Sequence, residues 1–246
     1  MSKILIVESK NDELFMRALV DHLNLPNVQI DDEPVCTIDD YECLEGLDIK
    51  KLTNRLEALK NSLPKKDIQS LGIILDHDGK KEERIKMINN ALEFVFDSTQ
   101  QIEDTNQFIN ISATLGSDTY PFTASCFLVN VDEKGELETL LKTIKTKPSV
   151  YADCLAEWRK CVETHYGATA DDRKKILSDK EFDKFWISNY IRFDTCSKKE
   201  KKQADKKCSM NIFDYIFENK KDIFNFDHPA LDSLKNYLIS FQNHNE

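Results

Sequence analysis

Four carboxylates stand where the most apolar runs of the chain end. Glu8 follows Ile4-Leu5-Ile6-Val7, and Asp12 lies a helical turn later. Asp76 and Asp78 follow Leu71-Gly72-Ile73-Ile74-Leu75. Short apolar, β-branched runs read as strands buried on both faces. In open parallel sheets, ligands gather beyond the carboxyl ends of such strands. If the two strands are neighbours, Glu8, Asp76 and Asp78 converge on one edge of the sheet, and Asp12 can point to the same place. Carboxylates that close repel one another and stay ionised cheaply only beside a cation. A ligand set made of oxygen alone favours Mg²⁺, Mn²⁺ or Ca²⁺ over zinc. His77 alternates with the two aspartates and faces away from them in an extended segment, so it is not counted as a ligand. The plainer readings are a turn with a helix cap for Asp76-His77-Asp78-Gly79 and a simple N-cap for Asp12.

The elements that must carry these residues alternate between strand and helix. Lys3–Val7 reads as a strand. Asn11 or Asp12 can cap a helix in which Leu14, Phe15, Ala18, Leu19 and Leu23 repeat at helical spacing. The polar stretch from Asn27 to Asp40, broken by Pro34, leaves room for one short edge strand near Val35–Thr37. Ile49–Leu63 reads as a helix, with Pro64 just beyond it. Leu71–Leu75 is the central strand. A helix carrying Ile85, Ile88, Leu92 and Val95 follows, then strand candidates at Phe108–Ile111 and Cys126–Val129. The expected fold class is α/β: a central, mostly parallel, Rossmann-like sheet flanked by helices, with a helical C-terminal half. The expected division is an α/β core over 1–134 and a helical extension over 135–246 packed on it. In that extension 137–144, 151–164, 182–191, 212–217 and 231–241 read as helices. The run Ser197–Lys207 (SKKEKKQADKK) is almost wholly polar. It reads as a mobile, solvated loop near 197–209, with a phosphate-binding arm as the other reading.

Bulk composition narrows the classes. The chain has 246 residues, 40% of them hydrophobic and 32% charged, as in an ordinary soluble protein. No apolar run approaches the roughly 18–20 residues of a membrane span. The N-terminus lacks the pattern of a signal peptide. Seven cysteines without a Cys-x-x-Cys pair point to reduced thiols in a cytoplasmic setting, and against zinc. A net charge of −10 argues against gripping nucleic acid by bulk electrostatics. Any such contact must be local, bridged by metal or shared with a partner.

An apolar strand followed by Asp-x-Asp-Gly also resembles the nucleophile motif of haloacid-dehalogenase-type phosphatases. That motif continues with Thr or Val, whereas Lys80 follows here. It also lies on the first strand, whereas a strand–helix unit precedes it in this chain, and no later Lys and acidic pair stands in order. The pattern Ile4-Leu5-Ile6-Val7-Glu8, Asp12 and Ile73-Ile74-Leu75-Asp76-His77-Asp78 resembles the Toprim domain, in which a Glu ends the first strand and Asp-x-Asp ends a later one. The usual Glu-Gly is Glu8-Ser9 here. Over nearly the whole length the chain is similar to the small stand-alone Toprim-like proteins of the DUF3226 type, related to the DUF4435 and OLD-family nucleases. Gly135-Glu136-Leu137-Glu138 through Leu141 and Ile223–Pro229 carry that likeness, while 145–210 match no motif.

The resemblance implies a nuclease or phosphodiesterase assisted by Mg²⁺ or Mn²⁺. Asp76 and Asp78 would be metal ligands, and Glu8 a ligand or general acid/base. Asp12 and Glu138 would be further ligands, with Glu136 a weaker candidate. Lys10, Lys80 and Lys81 are candidates for the cation that faces the phosphate. The substrate would be DNA or RNA. Because the chain is acidic and has no Walker motif, an ABC- or OLD-type ATPase is the expected partner, possible in an anti-phage system, and a homodimer stays open. The alternative from another class is a catalytically silent Toprim-like interaction module.

Overall fold

The computed structural model describes residues 2–36, 47–98, 100–131, 135–167 and 176–244. In chain order the elements are β1 (Ser2–Val7), α1 (Lys10–His22), β2 (Val28–Ile30), α2 (Ile49–Ser62), β3 (Ile68–Asp76), α3 (Lys81–Val95), β4 (Phe108–Leu115) and β5 (Asp118–Val129). Then come α4 (Leu137–Thr143), α5 (Val150–Tyr166), α6 (Asp179–Asn189), α7 (Lys198–Lys201), α8 (Ala204–Lys207), α9 (Phe213–Asn219) and α10 (Asp232–Asn243). A π-helical turn, Tyr190–Asp194, extends α6. The chain forms two compact units, Met1–Lys134 with Leu231–Glu246, and Gly135–Ala230.

The first unit is built on a five-stranded sheet in the order β2-β1-β3-β5-β4. The pairs β1/β2, β1/β3 and β3/β5 are parallel, and β4/β5 is antiparallel. From β1 the chain moves outward to β2 and then crosses back over β1 to β3. The carboxyl ends of β1 and β3 therefore flank the point where the strand order reverses, which is where open α/β sheets place their ligands. The α/β class and the mostly parallel sheet flanked by helices are as the alternation of apolar runs indicates.

Alternation along the strands separates two faces. Ile4, Ile6, Leu71, Ile73 and Leu75 join Leu52, Leu56 and Leu59 of α2 and Ile88 and Leu92 of α3 in one continuous core. Leu5 and Gly72 face the other way, toward α10. A Cβ on Gly72 would stand 2.3 Å from Leu5 Cδ2 and 2.7 Å from Tyr237 Oη, so only glycine lets the helix approach the sheet this closely. Tyr237 is fully buried there and shares a 3.0 Å hydrogen bond with Ser125 Oγ.

Three local details differ from the sequence reading. The short edge strand is Val28–Ile30, not a segment near Val35–Thr37. Val35 and Cys36 donate to the carbonyls of Val7 and Glu8, at 2.9 and 2.8 Å, and Thr37 lies outside the described residues. The cap of α1 is Ser9, with Asp12 completing a capping box from the N3 position. Cys196 and Cys208 are joined in a disulfide, so these two thiols are not free as the lack of a Cys-x-x-Cys pair suggested. Their separation of 12 residues carries no motif, and the turns of α7 and α8 bring the two sulfurs together.

The second unit is helical. Asp183 on α6 accepts from Thr139 Oγ1 and Lys142 Nζ of α4, both at 2.9 Å. Asp194 accepts from the first backbone amides of α5, Tyr151 at 2.9 Å and Ala152 at 3.0 Å, which satisfies donors that a helix start leaves open. Tyr190 is buried, donates to Ile223 O at 2.9 Å and accepts from Lys147 N–H at 3.1 Å.

Candidate metal centre

Strand register decides what Glu8 meets. Val7 pairs with Ile74 across the parallel β1/β3 ladder, which sets Glu8 beside the end of β3. Glu8 is buried, and its Oε2 accepts the backbone N–H of Asp76 at 3.2 Å. Asp76 is the last residue of β3, also buried, and pairs with Val129 at the end of β5. The convergence expected of Glu8 and Asp76 on one sheet edge is therefore present.

Beyond Asp76 the chain reverses tightly. Lys80 N–H donates to His77 O at 2.8 Å, closing a four-residue turn. Its central residues, Asp78 and Gly79, both have positive φ, +49° and +68°. Asp and Gly tolerate that conformation best, which explains their presence in the motif. His77 Nδ1 accepts from Gly79 N–H at 3.1 Å, so this ring nitrogen serves the turn. The turn leaves Asp78 half-buried beside α3. There Arg84 Nη2 lies 2.5 Å from Asp78 Oδ2.

Arg84 is a buried cation beside Asp78 that the sequence did not single out. Its Nε has no hydrogen-bond partner among the described residues. The lysines considered for facing a phosphate are engaged elsewhere: Lys10 with Glu13 at 2.7 Å, Lys81 with Asp104 at 2.7 Å, and the exposed Lys80 with Glu83 at 4.0 Å. Arg84 lies one helical turn beyond Lys80 and Lys81. Its only sequence signal was a basic residue next to the apolar stripe of α3.

Glu136 and Glu138 open helix α4. Both are buried. Burial first, and then repulsion by Glu138, pushes the Glu136 carboxyl up to about 8, against the pull of Lys180. Lys180 Nζ stands 2.7 Å from Oε2, while Oε1 is buried with no hydrogen-bond partner. Asp76 and Asp78 each offer a carboxylate oxygen, and the two oxygens lie within 4.8 Å of each other at the end of β3. Among the described residues, Glu8 and Asp12 do not complete a three-carboxylate group with them. Asp12 Oδ2 accepts from Ser9 N–H at 2.9 Å and Ser9 Oγ at 2.6 Å, and Glu138 lies in the first turn of α4.

A family model described as a protein of unknown function (DUF3226) matches residues 2–243. The chain belongs to the DUF3226 family. No curated protein and no solved structure matches this DUF3226 chain. Among its described residues no helix is long and apolar enough to cross a membrane.

Proposed function

We propose that the chain is a Toprim-type, divalent-metal-dependent phosphodiesterase that acts on DNA or RNA, related to the DUF4435 and OLD-type nucleases. The observation that carries this reading is the Glu8–Asp76 hydrogen bond at the reversal point of a parallel sheet, with Asp78 two residues on. The donor set fits a hard cation. It consists of carboxylate oxygens only.

Asp76 and Asp78 would hold the ion, and Mg²⁺ or Mn²⁺ suits their chemistry. When bound, such an ion supplies Lewis-acid stabilisation of the charge that builds on a phosphate. Glu8, oriented by the Asp76 amide, is the group to accept a proton from an attacking water. Arg84 positions Asp78 and adds a fixed positive charge next to it. Asp12 holds the loop that carries Glu8 through its capping box, and Glu138 sets the charge felt by Glu136. Because the chain carries a net charge of −10, the reading includes a partner that delivers substrate. An ABC-type ATPase is the expected class, in a bacterial anti-phage setting.

One observation favours the silent module instead: Arg84 already gives Asp78 a counter-ion. Cleavage assays separate the two. Single-stranded DNA, duplex DNA and transfer RNA are incubated with Mg²⁺ or Mn²⁺ and wild type, Glu8→Gln or Asp76→Asn. Cleavage lost in both variants supports the nuclease. Cleavage untouched by both sinks it, and metal binding without cleavage of any of these substrates selects the silent module.

A further inference from the structure

The acidic chain carries one strongly basic stretch, and the helical unit sets it against exposed aromatic rings. Between Arg192 and Lys207 there are seven basic residues against three acidic ones, on a chain of net charge −10. Two of those acids are engaged: Asp194 accepts from the first amides of α5, and Glu200 caps Ser197 and pairs with Lys220 at 3.2 Å. The basic side chains of Arg192, Lys198, Lys199 and Lys202 are exposed. The segment is not a loose loop. The helical turns of α7 and α8 shape it, and the Cys196–Cys208 disulfide closes it.

The rings stand beside it. Tyr151 is 62% exposed and Phe193 39%, and their centroids lie 6.0 Å apart at 38°. Lys201 Nζ sits 5.6 Å from the Tyr151 ring and 5.5 Å from Phe193, fixed by a 2.9 Å hydrogen bond to Phe193 O. Arg192 lies 5.6 Å over Phe193. Exposed rings cost hydration free energy unless something covers them. A positive strip with adjacent π-faces is the combination that binds single-stranded nucleic acid, with phosphates along the lysines and bases on the rings.

We propose that Tyr151, Phe193 and the lysines of 198–202 form a binding surface for single-stranded nucleic acid. This deepens the nuclease reading by giving it a substrate class, and it rests on that reading only for its purpose, because the binding itself needs no metal. Lysine clusters alone attract any polyanion, including a duplex or an acidic polypeptide. The rings favour unpaired bases, whose faces are open.

The test is fluorescence anisotropy with fluorescein-labelled oligothymidylate at low salt in EDTA, without reductant. Wild type is expected to bind, more weakly as salt rises. Tyr151→Ala and Phe193→Ala are each expected to lose about tenfold in affinity, the loss of one stacked base. Lys198→Glu with Lys202→Glu is expected to abolish binding. Tyr151→Trp is expected to keep affinity, with its emission quenched by the oligonucleotide, and circular dichroism checks that each variant folds. Unchanged affinity in both alanine variants, equal competition by polyglutamate, tighter binding of duplex, or no binding by wild type overturns the proposal. Binding that needs Tyr151, with no cleavage once metal is added, overturns the nuclease reading alone. Cleavage whose KM ignores Tyr151→Ala overturns this surface alone.

Discussion

Replacing Arg84 by Gln probes the metal centre through its counter-ion. Arg84 Nη2 and Asp78 Oδ2 are 2.5 Å apart, with side chains 10% and 23% exposed. Breaking a fully buried ion pair costs about 3–5 kcal/mol, because the surviving charge is stranded. Asp78 keeps some contact with water, so the expected cost in EDTA is about 2–3 kcal/mol. For a chain of this size that is a fall in Tm of roughly 4–12 °C. If Asp78 is a metal ligand, a divalent ion takes over the neutralisation and no longer competes with the guanidinium. A site saturated at about 100 times Kd gains about 2.7 kcal/mol. A tenfold tighter site at the same metal concentration gains about 1.4 kcal/mol more. The assay is differential scanning fluorimetry of wild type and Arg84→Gln, with EDTA and with millimolar Mn²⁺. The variant should start lower and gain more from Mn²⁺ than wild type does. An equal gain in both proteins, or none in either, refutes the assignment of Asp78.

Two further outcomes test the frame that holds the site. Gly72→Ala should cost about 2–5 kcal/mol in urea unfolding. The new methyl overpacks the contact with α10 and pushes Tyr237 from Ser125; a loss below about 1 kcal/mol, the level of a tolerated core swap, would show that α10 does not press on β3. His244 should make stability depend on pH. Burial first, and Lys3 second, hold its imidazole below the ordinary 6.5. The unfolded chain therefore binds the proton more readily, and stability present above pH 6.5 is lost as pH falls through the lower folded value. Between pH 7.5 and 5.5 the Tm of wild type should fall further than that of His244→Phe, and parallel curves would contradict this.

Much of the fold was legible because burial on both sheet faces demands apolar runs. Ile4–Val7 and Leu71–Leu75 announce β1 and β3, and the helical repeats announce α1 to α3. What escaped was short, half-solvated or made by long-range contact. β2 is three residues at a sheet edge, so Val28-Gln29-Ile30 carries little pattern. β4 and β5 run longer than Phe108–Ile111 and Cys126–Val129, because β4 is an edge strand whose outward positions, such as Asn110 and Thr114, are polar. Their hairpin turns at Gly116, with φ +64°. In the candidate site, Glu8, Asp76 and Asp78 were visible as acids at strand ends. Arg84 was not, since a helix surface is full of basic residues and only packing shows which one is buried.

The central claim is that carboxylates at the ends of these strands hold a divalent ion, and Mn²⁺ binding tests it most directly. Free Mn²⁺ is followed by its electron paramagnetic resonance signal as wild type, Asp76→Asn and Asp78→Asn are titrated into it. Loss even of an outer partner of a metal site weakens binding about 10–100-fold, so losing a direct ligand should weaken it by at least about a hundredfold. Wild type should deplete the free signal, and both variants should leave it nearly intact. A signal that wild type leaves undiminished, or that all three proteins reduce equally, contradicts the metal centre.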